Sequence, residues 1–109
     1  MRLLFEVSGV VHAPLEAVKE VLFRDAGESG SHRLVDRERG VIAYWGDWWY
    51  RGEDCVLEHP EGTVLRHRVH NIARQGNWAP YLANKLFIGY RARLEAGLRD
   101  RIRQLEAEL

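Results

Sequence analysis

His67 and Asp54 are the residues of this chain whose types could do chemistry together. A histidine facing a carboxylate can move protons to and from a carbonyl or hydroxyl group, because imidazole titrates near neutrality and the acid orients it. Whether they face each other depends on strand parity. Residues 48–59 and 63–74 read as strands joined at His59-Pro60-Glu61-Gly62, where Pro pre-sets the second turn position and Gly tolerates positive φ. With a plain two-residue turn, Trp48, Tyr50, Asp54 and Val56 share a face with Leu65, His67, Val69 and Asn71. Asp54 then lies across from His67, and Tyr50 across from Asn71. If Gly62 forms a bulge, Trp49, Arg51, Glu53, Cys55 and Leu57 take that face instead. The first set buries one charge and the second two, and unpaired buried charge costs several kcal/mol, which favours the first. The same two residues also read as a buried polar pair that satisfies itself.

Other chemistries fare worse. His67 and His70 are three apart on one strand, so they point to opposite faces and cannot chelate a metal together. Cys55 is the only cysteine, which removes an internal disulfide and a cysteine-based zinc site. There is no phosphate-binding glycine loop, nucleophile elbow or zinc-protease helix. Neither metal nor cofactor is expected. Sixteen acidic and sixteen basic residues, with a pI near 7.0, lack the footprint of a nucleic-acid or polybasic membrane binder. No apolar run reaches transmembrane length, and Glu6 interrupts the opening one before it resembles a signal peptide. A cytoplasmic protein is expected.

The elements that must position these residues follow from periodicity. The 109 residues make a single domain, 1–109, long enough to bury a core. Leu3, Phe5, Val7, Gly9 and Val11 alternate with other residues as an opening strand. Ala13-Pro14 starts a short helix with Leu15, Val18, Val21 and Leu22 on its apolar face, and Gly27 stops it. Strands are expected over 32–37 and 41–45, with Gly46-Asp47 as a two-residue hairpin turn into the strand at 48–59. Tyr44, Trp45, Trp48, Trp49 and Tyr50 crowd that hairpin, and alternation keeps at least two of them exposed or at an edge.

The chain closes on an apolar stripe, Leu82, Leu86, Tyr90, Leu94, Leu98, Ile102, Leu105 and Leu109, which predicts one long amphipathic helix over 77–109 capped by Asn77. Gly97 falls on its apolar side and would let a backbone or ligand approach. The arginines of this helix are interleaved with acids and read as a solvated face. About 30 residues at roughly 1.5 Å each make a rod near 45 Å, longer than the roughly 35 Å of a ten- or eleven-residue strand. An overhanging end with Ile102, Leu105 and Leu109 is therefore expected, suited to a homodimer contact.

The opening strand ending in Val11-His12-Ala13-Pro14-Leu15-Glu16-Ala17-Val18, followed by a meander and a long terminal helix, resembles the START / Bet v 1-like superfamily. That group includes polyketide cyclase/dehydrase and lipid-transport proteins. The resemblance implies an α+β helix-grip fold: a curved antiparallel sheet of about five strands, a short N-terminal helix and a long C-terminal helix across the sheet. It further implies a cavity for a hydrophobic or aromatic small molecule, for which Trp48, Tyr50, His67, Val69, Asn71, Leu86 and Tyr90 are the expected lining. Two alternatives stand beside binding. One is a cyclase/dehydrase-like enzyme using Asp54 and His67; the other is an interaction or dimerisation module with a core packed shut.

Overall fold

The computed structural model describes residues 2–24, 26–46, 50–71 and 89–109. Its elements in chain order are β1 (Arg2–Val11), α1 (Leu15–Arg24), β2 (Arg33–Asp36), β3 (Val41–Trp45), β4 (Tyr50–His59), β5 (Gly62–Asn71) and α2 (Tyr90–Glu108). The architecture is α+β. An open, antiparallel five-stranded sheet runs in the order β1-β5-β4-β3-β2, and both helices contribute to a core on one of its faces.

Register decides which side chains meet the helices. His59 pairs with Gly62, leaving Pro60-Glu61 as a two-residue turn with no bulge. Gly62 adopts φ +140°, and a Cβ there would lie 2.8 Å from the backbone nitrogen of Ala13, so the position needs glycine twice over. Thr63 fastens the same corner by donating its hydroxyl to the Ala13 carbonyl at 2.8 Å. The parity expected from charge burial is therefore the one found. Along the inner face the paired rows are Phe5–Val69–Gly52–Tyr44, Val7–His67–Asp54–Ile42 and Gly9–Leu65–Val56.

The β3–β4 connection differs from the expected two-residue turn. Trp45 pairs with Arg51, and the Gly46 amide donates to the Tyr50 carbonyl at 3.0 Å, so the connection includes residues 47–49, which lie outside the described residues. A turn at Gly46-Asp47 would have joined Trp45 to Trp48 and reversed the parity of β3. Instead Tyr44 faces inward and Trp45 outward, where Trp45 meets the Arg51 guanidinium 5.5 Å from its ring centre.

The helices cover the inner face by their apolar stripes. Val18, Leu22 and Phe23 of α1 and Leu98, Ile102 and Leu105 of α2 join Val7, Val11, Ile42, Val56 and Leu65 in one cluster. Each such side chain contributes about 1.5 to 3 kcal/mol on leaving water.

The terminal helix is shorter than its periodicity suggested. Gly89 precedes it at φ +79°, a left-handed conformation through which a continuous α-helix from 77 to 109 cannot run. Asn77, Leu82 and Leu86 lie outside the described residues. Nineteen residues span roughly 28 Å, so the helix does not outrun its ten-residue neighbour β1, of roughly 33 Å. The expected overhang is corrected accordingly. Ile102 and Leu105 are only 9% and 6% exposed, while Leu109 is 47% exposed. The end of α2 is clamped within the chain: Glu106 accepts from the His12 amide and lies 2.9 Å from its Nδ1, and Arg24 donates to Glu108 at 2.9 Å. Those bonds from His12, the backbone one first, hold the Glu106 carboxyl below the usual range. Gly97 faces outward with nothing within 4 Å of where its Cβ would be, so no described part of the chain approaches it closely. Gly9 serves that role instead. A Cβ on Gly9 would lie 2.5 Å from Ile102 Cδ1.

This contact predicts a specific coupling. Gly9→Ala should cost about 1 kcal/mol or more through overpacking, and Ile102→Val, which removes the opposing Cδ1, about 0.5 to 1.5 kcal/mol. The double variant should lose less than the sum in urea unfolding; strict additivity would show that the two positions do not press on each other.

Candidate functional site

Adjacent strands hold the two chemically suggestive residues opposite each other. His67 Nδ1 lies 2.7 Å from Asp54 Oδ1, and their side chains are only 12% and 9% exposed. When Nδ1 carries the proton it donates to the carboxylate, leaving Nε2 as an acceptor. Such a pair can orient an imidazole in a confined space.

A chain of phenols lies beside the pair. Tyr44 sits one row along from Asp54, its ring above Gly52, where a Cβ would be 2.7 Å from the ring. The Tyr44 and Tyr50 ring centres are 6.1 Å apart, and hydrogen bonds link Tyr44 to Tyr50 and Tyr50 to Tyr90. Phe5 meets the Tyr90 ring edge-on at 5.1 Å. Burial raises all three phenols above their ordinary range. The Asp54 charge adds to the effect at Tyr44, and Tyr50 is raised furthest, helped by Tyr44.

Between the inner face, the end of α1 and the middle of α2 lies a pocket of about 190 Å³. Leu22, Ala26 and Ile42 give it an apolar wall, while Tyr44, Asp54, Arg33 and Arg101 bring polar groups. A groove of about 410 Å³ between β1 and α2 is larger; its charged lining residues are Glu6, Arg91, Glu95 and Arg99, and Arg91 is paired with Glu95 at 3.4 Å. We place the candidate site in the smaller pocket because it alone of the two touches the buried Asp54.

The expected site residues divide as follows. Asp54 lines the pocket; His67 stands behind it on the neighbouring strand and is not part of the lining. Tyr50 and Tyr90 belong to the phenol chain, and Val69 is fully buried in the adjoining row. Trp48 and Leu86 lie outside the described residues, and Asn71 is described only by its backbone pairing with Tyr50 and Arg2.

Asp54 is the one lining residue that was expected; the apolar Leu22, Ala26 and Ile42 and three polar residues were missed. Tyr44 was hidden by the assumed two-residue turn, which reverses its parity. Arg101 was read with the solvated arginines, although its spacing from Leu98 and Leu105 puts it on the flank of the apolar stripe. Arg33 carries no distinguishing signal in the sequence.

The opposite face of the sheet holds two further buried groups, Cys55 and His70. Cys55 is buried there with an Arg66 nitrogen 4.0 Å from its sulfur. Burial lowers the His70 imidazole below its ordinary value. Among the described residues no group of three or more His, Cys, Asp or Glu could hold a metal ion, and no helix is long and apolar enough to cross a membrane.

Two outcomes check this geometry. His67→Leu or Asp54→Val alone should cost about 1 to 3 kcal/mol by orphaning a buried partner, and the double variant should recover much of the loss. If each single change is neutral in chemical denaturation, the pair does not form. The raised phenols contribute stability that is present below their ordinary pKa near 10 and is lost as pH climbs through the folded values. Stability should therefore fall on alkaline titration, with a shallower fall in Tyr50→Phe; the same slope in both proteins would contradict the phenol chain.

No protein-family model, no curated protein and no solved structure matches this chain.

Proposed function

We propose that the chain is a small-molecule-binding domain that holds its ligand in the pocket between the sheet and the two helices. The observation that carries this reading is one concavity of about 190 Å³ lined both by apolar side chains and by convergent polar ones. Ligand sites combine these two kinds of wall, whereas a core packed shut leaves no such space. The START / Bet v 1-like resemblance supports the same location, since a helix-grip architecture puts its ligand between sheet and C-terminal helix. A hydrophobic or aromatic body suits Leu22, Ala26 and Ile42. A cytoplasmic setting accords with a single, unpaired cysteine.

A second reading, proton transfer of the cyclase/dehydrase kind, has one observation in its favour: the 2.7 Å contact that ties the pocket-lining Asp54 to His67. In that case Asp54 would accept the proton and His67 would hold it in position.

Titration of the isotope-labelled protein with single-ring aromatic compounds should move the resonances of Leu22, Ala26, Ile42 and Tyr44 together. A ligand at a hundred times its Kd should add about 2.7 kcal/mol of stability. Ala26→Trp, at the half-buried rim, should block both effects while leaving the fold intact. Shifts confined to the β1–α2 groove would place the site elsewhere, and conversion of a bound compound that His67→Gln abolishes would establish the second reading.

A further inference from the structure

Resting on the pocket as the ligand site, we infer that its ligand is a small organic carboxylate with a single-ring body, its anionic group held by Arg33 and Arg101. Two guanidinium groups line the pocket against one carboxylate, Asp54. That carboxylate lies 2.7 Å from His67 Nδ1, and neither arginine forms an ion pair with it. Elsewhere on α2 the acids are used locally: Arg91 pairs with Glu95 and Arg103 with Asp100, each at 3.4 Å. Arg101 and Arg33 have no acid within ion-pair range among the described residues. Arg33 is steadied by donating one guanidinium nitrogen to the Ala26 carbonyl at 2.6 Å, which leaves its other nitrogens to a ligand.

The two cations arrive from different elements, Arg33 from β2 and Arg101 from α2, so an anion between them is approached by two planar forks. Guanidinium groups match the two oxygens of a carboxylate in this way, and lysine does not. Volume and wall chemistry supply the rest of the class. An enclosed apolar cavity of about 150 Å³ is enough for benzene, so about 190 Å³ has room for one ring with a small anionic substituent. Leu22 and Ile42 give the ring an apolar surface that an inorganic anion would not use.

Benzoate and its neutral counterpart benzamide separate the charge requirement from the pocket. In calorimetric and NMR titrations of the full chain, benzoate should bind with shifts at Leu22, Ile42 and Tyr44, at least about tenfold more tightly than benzamide. Arg101→Gln, a change at an exposed position, should bring the two compounds to within about twofold of each other, and Arg101→Lys should recover only part of the preference. Equal affinity for benzoate and benzamide at the same residues overturns the carboxylate assignment while leaving the pocket a ligand site. Displacement of benzoate by an equal concentration of inorganic phosphate overturns the organic class. Failure of both ring compounds to shift pocket resonances overturns the pocket reading itself.

Discussion

A turn of two residues, Pro60 and Glu61, sets the register of the longest hairpin, and the side chains that face the helices follow from it. A bulge at Gly62 would have turned Arg51, Glu53 and Cys55 inward and separated Asp54 from His67. The turn is held in its plain form from outside. Gly62 is wedged against the backbone that links β1 to α1, and Thr63 bonds to Ala13 beside it. The corner that closes the core therefore also fixes the face on which the polar pair lies.

The helices then cover that face unevenly. Gly9 allows α2 to lie close on β1, with Ile102 over the bare backbone, while α1 brings Val18, Leu22 and Phe23 to the shared cluster. The clamps at Glu106 and Glu108 keep the end of α2 against the β1–α1 corner and α1. Space is left between Leu22 on α1, Ala26 just beyond it, Arg101 on α2, and the sheet row carrying Asp54 and Ile42.

Stability alone does not account for Asp54 and His67. A buried ion pair or polar pair is often no more stable than well-packed apolar residues of the same volume, because desolvation offsets the attraction between the partners. In a domain of this size the sheet could have placed two more aliphatic residues in that row. One member instead reaches a pocket, with a phenol and two guanidinium groups beside it.

Local chemistry was enough to read off the order of elements, the opening strand, the α1 stripe and the turn at Pro60, since each rests on neighbours two to four residues apart. It was also enough to pair Asp54 with His67, because the cost of burying charge chose between two parities. The sequence could not show that the helical periodicity of the last third is interrupted at Gly89, because the same apolar spacing continues on both sides of a left-handed residue. Nor could it show that Ile102 and Leu105 are covered by the rest of the chain, or that Gly9 and not Gly97 is the point of close approach. Those depend on where α2 lies. The pocket itself belongs wholly to the tertiary structure: Arg33, Tyr44, Asp54 and Arg101 are spread over 69 positions of the chain and meet only because the register of β3 on β4 turns Tyr44 inward and α2 carries Arg101 back over the sheet.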